Sequence, residues 1–162
     1  MIDCYVGLGG NYPHTLSVMR ECIKYFKKEK LIENLRLSRI YRTTPVSDIA
    51  QADYLNAVCS LQTTLPLSQL FQFIQDLEKK MGKEPKLKNA PRLIDLDLLF
   101  YGDLNVQTEG YTIPHPRWKD RLFVLVPLTD LTDRVPIIGE ISLKERLEKF
   151  VSDQHVEVFL DA

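Results

Sequence analysis

Apolar residues along this chain recur with two periods, one typical of strands and the other typical of helices. Alternation or a continuous apolar run predicts a strand, whereas a spacing of three or four residues predicts a helix with one buried face. The predicted strands are residues 2–8, 35–41 and 56–63, the segment around residues 95–97, a short edge strand at 105–108 and a closing strand at 156–160.

Two longer helices are expected between these strands. The first begins near Pro13, since Pro suits the first helical turn, and the second follows Pro66 and stops at Gly82, a residue that commonly ends a helix. We interpret the apolar stripes of both helices as core packing. The stripes are Leu16, Met19, Ile23 and Phe26 in the first helix and Leu70, Phe71, Ile74, Leu77 and Met81 in the second.

The C-terminal part adds two shorter predicted helices. The first covers residues 123–131 and is interrupted or started near Pro127, and the second covers 143–150 and has a capping box at Ser142 and Glu145. The order β-α-β-β-α-β, with these extra C-terminal elements, indicates a ferredoxin-like split βαβ sandwich. This is an α+β fold with a mainly antiparallel sheet. We expect the helices to cover one side of the sheet and to leave the other side free for a site.

Composition limits the function classes without selecting one. With 162 residues, 44% of them hydrophobic, we expect a single domain over residues 1–162. A formal net charge of −1 gives no indication of a nucleic-acid or membrane partner. Cys4, Cys22 and Cys59 form no CxxC pair, which favours free thiols in a reducing compartment. We expect a cytoplasmic protein without a targeting segment or a membrane span.

The strongest chemical signal is a pair of aspartates inside an apolar run, Asp95 and Asp97. Side chains alternate along a strand, so both carboxylates point to one face, roughly 7 Å apart. A buried unpaired carboxylate costs several kcal/mol, and a divalent cation is a suitable shared countercharge. The pair therefore predicts a Mg²⁺ site that also holds phosphates. A solvent-facing pair at a sheet edge is the alternative.

A basic stretch lies directly before the aspartates, between Lys79 and Arg92. A solvated surface run is one interpretation of this stretch. Beside a carboxylate pair, a loop that closes over polyphosphate is the other, because polyphosphate needs cationic side chains as well as a metal. Arg92 is the strongest candidate, since a guanidinium can bind phosphate through two donors.

Two further clusters carry polar and aromatic groups that suit a ligand. His115 stands between two prolines, which favours a rigid donor to phosphate, although a surface turn is an equal alternative. Arg121 and Phe123 bring a cation and an aromatic ring close together. Asn56 can both donate to and accept from a heterocycle, and Tyr54 can stack on a ring.

Taken in this order, the segments resemble the 6-hydroxymethyl-7,8-dihydropterin pyrophosphokinases of folate biosynthesis. The combination of Pro-Arg-x-x-Asp-Leu-Asp with a downstream Pro-His-Pro-Arg is highly specific for that family. The matching stretches span nearly the whole chain: residues 8–11, 41–45, 53–56, 91–98 and 114–117, followed by Arg121, Phe123, Pro127 and Leu128.

The resemblance implies transfer of the terminal diphosphate of ATP to the hydroxymethyl oxygen of the pterin, with release of AMP. It implies that Asp95 and Asp97 hold two Mg²⁺ ions and that the protein acts on these two small molecules. Apart from the resemblance, we expect a monomer. The implied catalytic residues are Lys83, Arg92, Asp95, Asp97, His115 and Arg121. The implied ATP contacts are Gln75, Glu78, Lys83, Lys86, Arg92, Leu98, Thr112, His115 and Arg121.

For the pterin, the resemblance implies stacking between Tyr54 and Phe123, with Asn56 and the segment around Thr43, Thr44 and Val46 reading the polar edge of the ring. The chain departs from the common family pattern at several positions. Gly10 replaces a usual Ser, Lys83 a frequent Arg, Asn89-Ala90 a frequent Trp-Gly, and Gly110 a basic residue.

Two rival functions remain open at the level of sequence. Another Mg²⁺-dependent transferase, such as a nucleotidyltransferase, also uses paired aspartates on a sheet, and it would release pyrophosphate. A non-catalytic ferredoxin-like module for RNA would need exposed aromatic residues on its strands and a basic face. The net charge of −1 disfavours the second rival.

Overall fold

The computed structural model describes residues 1–44, 52–82, 93–135, 142–150 and 154–161. Six strands form one sheet in the order β5-β1-β4-β3-β8, with β2 also paired to β4, and every pairing is antiparallel. The predicted fold class is confirmed. The strands are β1 (Ile2–Gly10), β2 (Ile32–Leu37), β3 (Ile40–Thr43), β4 (Tyr54–Thr63), β5 (Asp95–Tyr101), β6 (Val106–Gln107), β7 (Thr112–Ile113) and β8 (Val156–Leu160).

All four predicted helices are present among the described residues, with ends that differ by a few residues. They are α1 (Thr15–Lys28), α2 (Leu67–Lys80), α3 (Leu122–Thr129) and α4 (Leu143–Glu148), and a short 3₁₀ helix covers Trp118–Asp120. At the start of α4, the Ser142 side chain accepts a hydrogen bond from the Glu145 N–H at 3.1 Å, as the capping box predicts. Within the described residues, no helix is both long and apolar enough to cross a bilayer.

Helices lie on both faces of the sheet, which corrects the expectation of one free face. One core joins α1 and α2 to the side chains of β1, β4 and β5 that include Val6, Leu61 and Leu98. A second core joins α3 and α4 to the opposite face through residues that include Val58 and Phe100. The C-terminal elements therefore cover part of the second face and leave the remainder of that face, which carries Asp95, Asp97 and Asn56, for a candidate site.

The predicted strand at residues 35–41 is in fact two strands, because Ser38 interrupts the ladder with β4. The Ser38 N–H donates to the Val58 carbonyl at 2.9 Å, and the Ser38 hydroxyl accepts from the Val58 N–H at 2.9 Å. A side-chain oxygen thus replaces a backbone carbonyl, and the register shifts between β2 and β3. Apolar periodicity carries no information about this exchange of hydrogen-bond partners.

Two other local predictions need correction. β4 begins at Tyr54 rather than at Asn56, so Tyr54 lies in the strand and on the same face as Asn56. The predicted edge strand at 105–108 shortens to β6, which pairs with β7 in a separate two-stranded unit instead of extending the main sheet. The three cysteines are buried free thiols, as their spacing predicts.

Candidate active site on the open half of the sheet

One row of four residues crosses the sheet and joins the two halves of the predicted site. Asp95 on β5 is paired with Gly9 on β1, Gly9 with Asn56 on β4, and Asn56 with Tyr41 on β3. Directly paired residues in antiparallel strands project from the same face. Two strand spacings therefore separate the Cα atoms of Asp95 and Asn56 by about 10 Å, with a residue that has no side chain between them.

Asp95 and Asp97 share this face, as strand alternation predicts, and Leu96 and Leu98 point into the opposite core. The carboxylates are less buried than the sequence suggested, since the Asp97 side chain is 44% exposed. The register between β1 and β5 shifts between Tyr5 and Val6, and as a result the consecutive residues Leu99 and Phe100 both pack into the second core. The desolvation of these partly exposed carboxylates therefore does not by itself require a bound cation. Whether the pair suits a cation depends on the groups that lie next to it.

His115 and Arg121 stand beside the carboxylates. The Arg121 Nη1 lies 3.8 Å from Asp97 Oδ2, and the Arg121 guanidinium is 5.5 Å from the centre of the Phe123 ring. Burial lowers the pKa of His115 below its ordinary value, and the negative charge of Asp97 acts in the opposite direction. The His115 ring is thus poised as a neutral hydrogen-bonding group.

Backbone contacts fix the orientation of His115. Its N–H donates to the Leu99 carbonyl at 2.9 Å, which attaches the segment after β7 to β5. The Arg117 N–H donates to His115 Nδ1 at 3.2 Å. Because Nδ1 accepts a hydrogen bond, the proton of the neutral ring is on Nε2, which can donate to an anionic oxygen.

The amide of Asn56 is buried and its orientation is set by two neighbours. Its Nδ2 donates to the Thr43 hydroxyl at 2.6 Å, and Oδ1 lies over Gly9. A Cβ atom on Gly9 would lie 2.8 Å from Asn56 Oδ1, a distance that real Cβ contacts do not show. Gly9 is therefore required for this orientation, because only Gly leaves room for the amide.

Comparison with known proteins assigns the chain to a family. Residues 5–133 match the model of the 7,8-dihydro-6-hydroxymethylpterin-pyrophosphokinase (HPPK) family. The chain belongs to the HPPK family. Its predicted membership, made from the motifs alone, is confirmed.

Two relatives of similar length carry the name 2-amino-4-hydroxy-6-hydroxymethyldihydropteridine pyrophosphokinase. The one from Bacillus subtilis is 32% identical over 131 residues, which are 81% of this chain and 78% of the relative. The one from Haemophilus influenzae is 27% identical over 158 residues, which are 98% of this chain and 99% of the relative.

Other HPPK relatives are considerably longer than this chain. The bifunctional protein FolKE of Lactococcus lactis is 35% identical over 134 residues, and the match spans 83% of this chain but 38% of FolKE. A crystal structure of Plasmodium falciparum HPPK-DHPS has the same fold, with a TM-score of 0.66 at 15% identity. The match covers 92% of this chain and 43% of the Plasmodium chain.

Two contacts that sequence reasoning missed hold the start of β5 in place within this HPPK fold. The Glu78 carboxylate, on α2, accepts a hydrogen bond from the Leu96 N–H at 2.6 Å, between the two aspartates. The Thr15 hydroxyl donates to the Leu93 carbonyl at 3.2 Å and accepts from the Tyr12 N–H at 2.9 Å. The contacts of Glu78 with Leu96 and of Thr15 with Leu93 join residues that are distant in the chain, and the apolar pattern does not signal them.

The remaining predicted ATP contacts lie around the outer edge of β5 and on α2. Leu98 is a buried β5 residue, and Thr112 lies on β7, which packs against β5. Gln75 is half-buried on α2, one turn before Glu78. On the pterin side, Tyr54 and Phe123 are half-buried, whereas Thr44 is exposed. Four predicted site residues lie outside the described residues: Val46, Lys83, Lys86 and Arg92.

Proposed function

We propose that this chain transfers the terminal diphosphate of ATP to the hydroxymethyl oxygen of 6-hydroxymethyl-7,8-dihydropterin, with release of AMP. The observation that carries the proposal is the row from Asp95 through Gly9 to Asn56, which puts a carboxylate pair and a buried amide on one face of the sheet. Membership of the HPPK family selects this reaction among those that such a pair can serve.

On the pterin side, each group has a role that its surroundings support. Asn56, oriented by Thr43, offers a fixed oxygen and nitrogen to the polar edge of the ring. Tyr54 on β4 and Phe123 on α3 would stack on the two faces of the ring. Thr44 and Val46 would add backbone contacts. A ring held in this way directs its hydroxymethyl group along the row toward Asp95.

On the phosphate side, His115 and Arg121 stand where a polyphosphate would pass the carboxylates. Nε2–H of His115 and the Arg121 guanidinium can donate hydrogen bonds to phosphate oxygens. Such hydrogen bonds stabilise the phosphate charge more strongly in a partly dehydrated site than in water. Lys83, Lys86 and Arg92 would add positive charge. Gln75, Glu78, Leu98 and Thr112 would contact the remainder of ATP. The cationic side chains among these residues would neutralise the charge that develops on the leaving AMP.

The donor set at β5 fits Mg²⁺. Among the described residues, no group of three or more His, Cys, Asp or Glu side chains could hold a metal by itself. Mg²⁺ is usually bound through one or two carboxylates together with substrate phosphates, so the pair of Asp95 and Asp97 would suffice as its protein ligands. We propose that Asp95 and Asp97 hold two Mg²⁺ ions. Bound Mg²⁺ would supply charge neutralisation on the phosphates and a lower pKa for the attacking hydroxyl.

The chain would act as a single domain and a monomer in the cytoplasm, on two small-molecule substrates and without a nucleic-acid or membrane partner. The net charge of −1 supports the last point. Sedimentation of the purified chain tests the monomer directly.

Substitution of Asp97 by Asn tests the carboxylate pair. The amide keeps the shape of the side chain but removes its charge, so we expect AMP formation from ATP and the pterin to fall by at least about 100-fold, as is typical when a group that stabilises transition-state charge is lost. A coupled AMP assay at saturating Mg²⁺ measures this. We also expect Mg²⁺ to strengthen binding of a non-hydrolysable ATP analogue less in this variant than in the wild type.

Asp103→Asn is the matched control, because Asp103 is an exposed carboxylate just after β5 and away from the row. It should leave the rate of AMP formation unchanged. Full activity of the Asp97→Asn variant, with unchanged circular dichroism, would contradict the assignment of this carboxylate.

A further inference from the structure

A three-residue cluster at the far end of α3 has no role in the proposed chemistry. Asp130, the residue that caps the C-terminus of α3, accepts hydrogen bonds from Arg39 and Tyr41 at the start of β3. Its Oδ2 accepts from the Arg39 N–H at 3.0 Å and from the Tyr41 hydroxyl at 2.8 Å, and its Oδ1 accepts from Arg39 Nη2 at 3.0 Å. We call these three residues the β3–α3 clamp.

A carboxylate is an unfavourable choice at this position for the helix itself. The C-terminal end of a helix carries partial negative charge, so an Asp there is repelled by its own helix. Arg39 and Tyr41 offset this repulsion, and the Asp130 side chain is only 16% exposed. Burial on its own would raise the pKa of Asp130, but the hydrogen bonds from Arg39 and Tyr41 hold that pKa below its ordinary value.

Helix geometry relates Asp130 to the predicted pterin-stacking ring. Phe123 and Asp130 are seven residues apart, which is close to two full turns, so they lie on the same side of α3 about 10 Å apart along its axis. Attaching Asp130 to β3 therefore fixes both the rotation of α3 and the height of Phe123 above the sheet.

The other end of the clamp lies in the row that crosses the site. Tyr41 is paired with Asn56, and the next pair along the same face is Thr43 with Tyr54. The clamp thus ties α3 to the strand that also orients Asn56 through Thr43. Arg121, which precedes α3, has an additional attachment through Asp97.

We propose that Asp130 is a positioning residue for the pterin. Its hydrogen bonds to Arg39 and Tyr41 hold α3 so that Phe123 faces Tyr54 with space for one stacked ring between them. This inference rests on the proposed function and deepens it. Loss of the clamp lets α3 rotate or lift at its C-terminal end. Pterin binding then weakens, whereas ATP binding, which depends on β5 and Arg121, changes little.

The test compares substrate constants in the full-length chain. For Asp130→Asn we expect the KM for the pterin to rise about tenfold, with less than a twofold change in the KM for ATP. Tyr41→Phe keeps the ring but removes one hydrogen bond, so it should raise the pterin KM by a smaller factor. Asp130→Glu keeps the carboxylate and should recover most of the pterin affinity. Steady-state kinetics with each substrate varied in turn measures both KM values, and calorimetric titration of the pterin into protein saturated with an ATP analogue checks that its Kd changes in the same direction.

Asp3→Asn is the matched control, since Asp3 accepts one side-chain hydrogen bond, from Gln62 at 2.8 Å, at the opposite end of β1. It should leave both KM values unchanged. Equal increases in both KM values, or no change in either for Asp130→Asn and Tyr41→Phe, would overturn the inference. A wild-type chain that makes no pterin diphosphate would refute the proposed function instead, so the two failures are distinguishable.

Discussion

At the scale of single residues, the site depends on one position where a side chain is absent. Gly9 separates the carboxylate strand from the amide strand, and the Asn56 amide uses the space that a Cβ atom would fill. Asn56 is also bonded to Thr43, so it cannot turn away without losing a buried hydrogen bond. Such a loss costs about 1–3 kcal/mol.

We therefore expect Gly9→Ala to displace the Asn56 amide and to raise the pterin KM by roughly tenfold, the factor that corresponds to about 1.4 kcal/mol. The KM for ATP should change less than twofold, because the nearest atoms that the added methyl group would meet belong to Asn56 and the Leu55 carbonyl and not to β5. Steady-state kinetics with each substrate varied in turn measures both constants.

Gly7→Ala is the control for this substitution. Gly7 lies on the same strand and face, but a Cβ atom there would meet the Leu99 side chain at 3.7 Å, an ordinary contact. If Gly7→Ala and Gly9→Ala weaken pterin binding equally, the effect does not come from the Asn56 amide.

Several residue-scale features could be predicted from sequence and others could not. Strand alternation alone places Asp95 and Asp97 on one face. The pairing of Gly9 with Asn56 was not predicted, because register is set by long-range pairing. Likewise, Arg39 and Asp130 are 91 residues apart, and no local pattern joins them.

At the scale of elements, apolar periodicity located α1 and α2 well because each buries a regular stripe against the sheet. It failed where a side chain replaces the backbone as a hydrogen-bond partner, as Ser38 does between β2 and β3. It also left open how the C-terminal helices sit. Both lie on the face that was expected to be free, since Leu125, Leu128 and Leu143 complete the second core.

The clamp between β3 and α3 predicts how stability depends on pH. The pKa of Asp130 lies below its ordinary value in the folded protein, so protonation favours the unfolded chain. The contribution of the clamp is complete above about pH 4, the value for an unfolded Asp, and is lost as the pH falls through the folded-state pKa. We expect wild type to exceed Asp130→Asn by about 1–2 kcal/mol in free energy of unfolding at pH 7.

Urea unfolding, followed by the fluorescence of Trp118, measures this difference at several pH values. It should stay constant from pH 7 to about pH 5 and shrink at lower pH, because the two proteins become alike once Asp130 is protonated. A difference that grows below pH 4 would contradict the role of the Asp130 charge.

At the scale of the whole molecule, the sheet brings together groups from every part of the chain. The carboxylates come from β5, the amide from β4, the open floor from β1, and the cation and ring from the start of α3. The order of elements predicted this sheet, because short antiparallel connections restrict the topology. The motifs, rather than the fold, indicated the reaction, since one fold serves many functions.

The most direct test of the proposed reaction is the identity of its products. The purified chain is incubated with ATP, Mg²⁺ and 6-hydroxymethyl-7,8-dihydropterin, and the products are resolved by phosphorus NMR and chromatography. We predict AMP and pterin diphosphate in equal amounts, with no reaction when the pterin is omitted. Release of pyrophosphate with an adenylylated acceptor, or formation of ADP, would contradict diphosphate transfer and assign the carboxylate pair to another transferase.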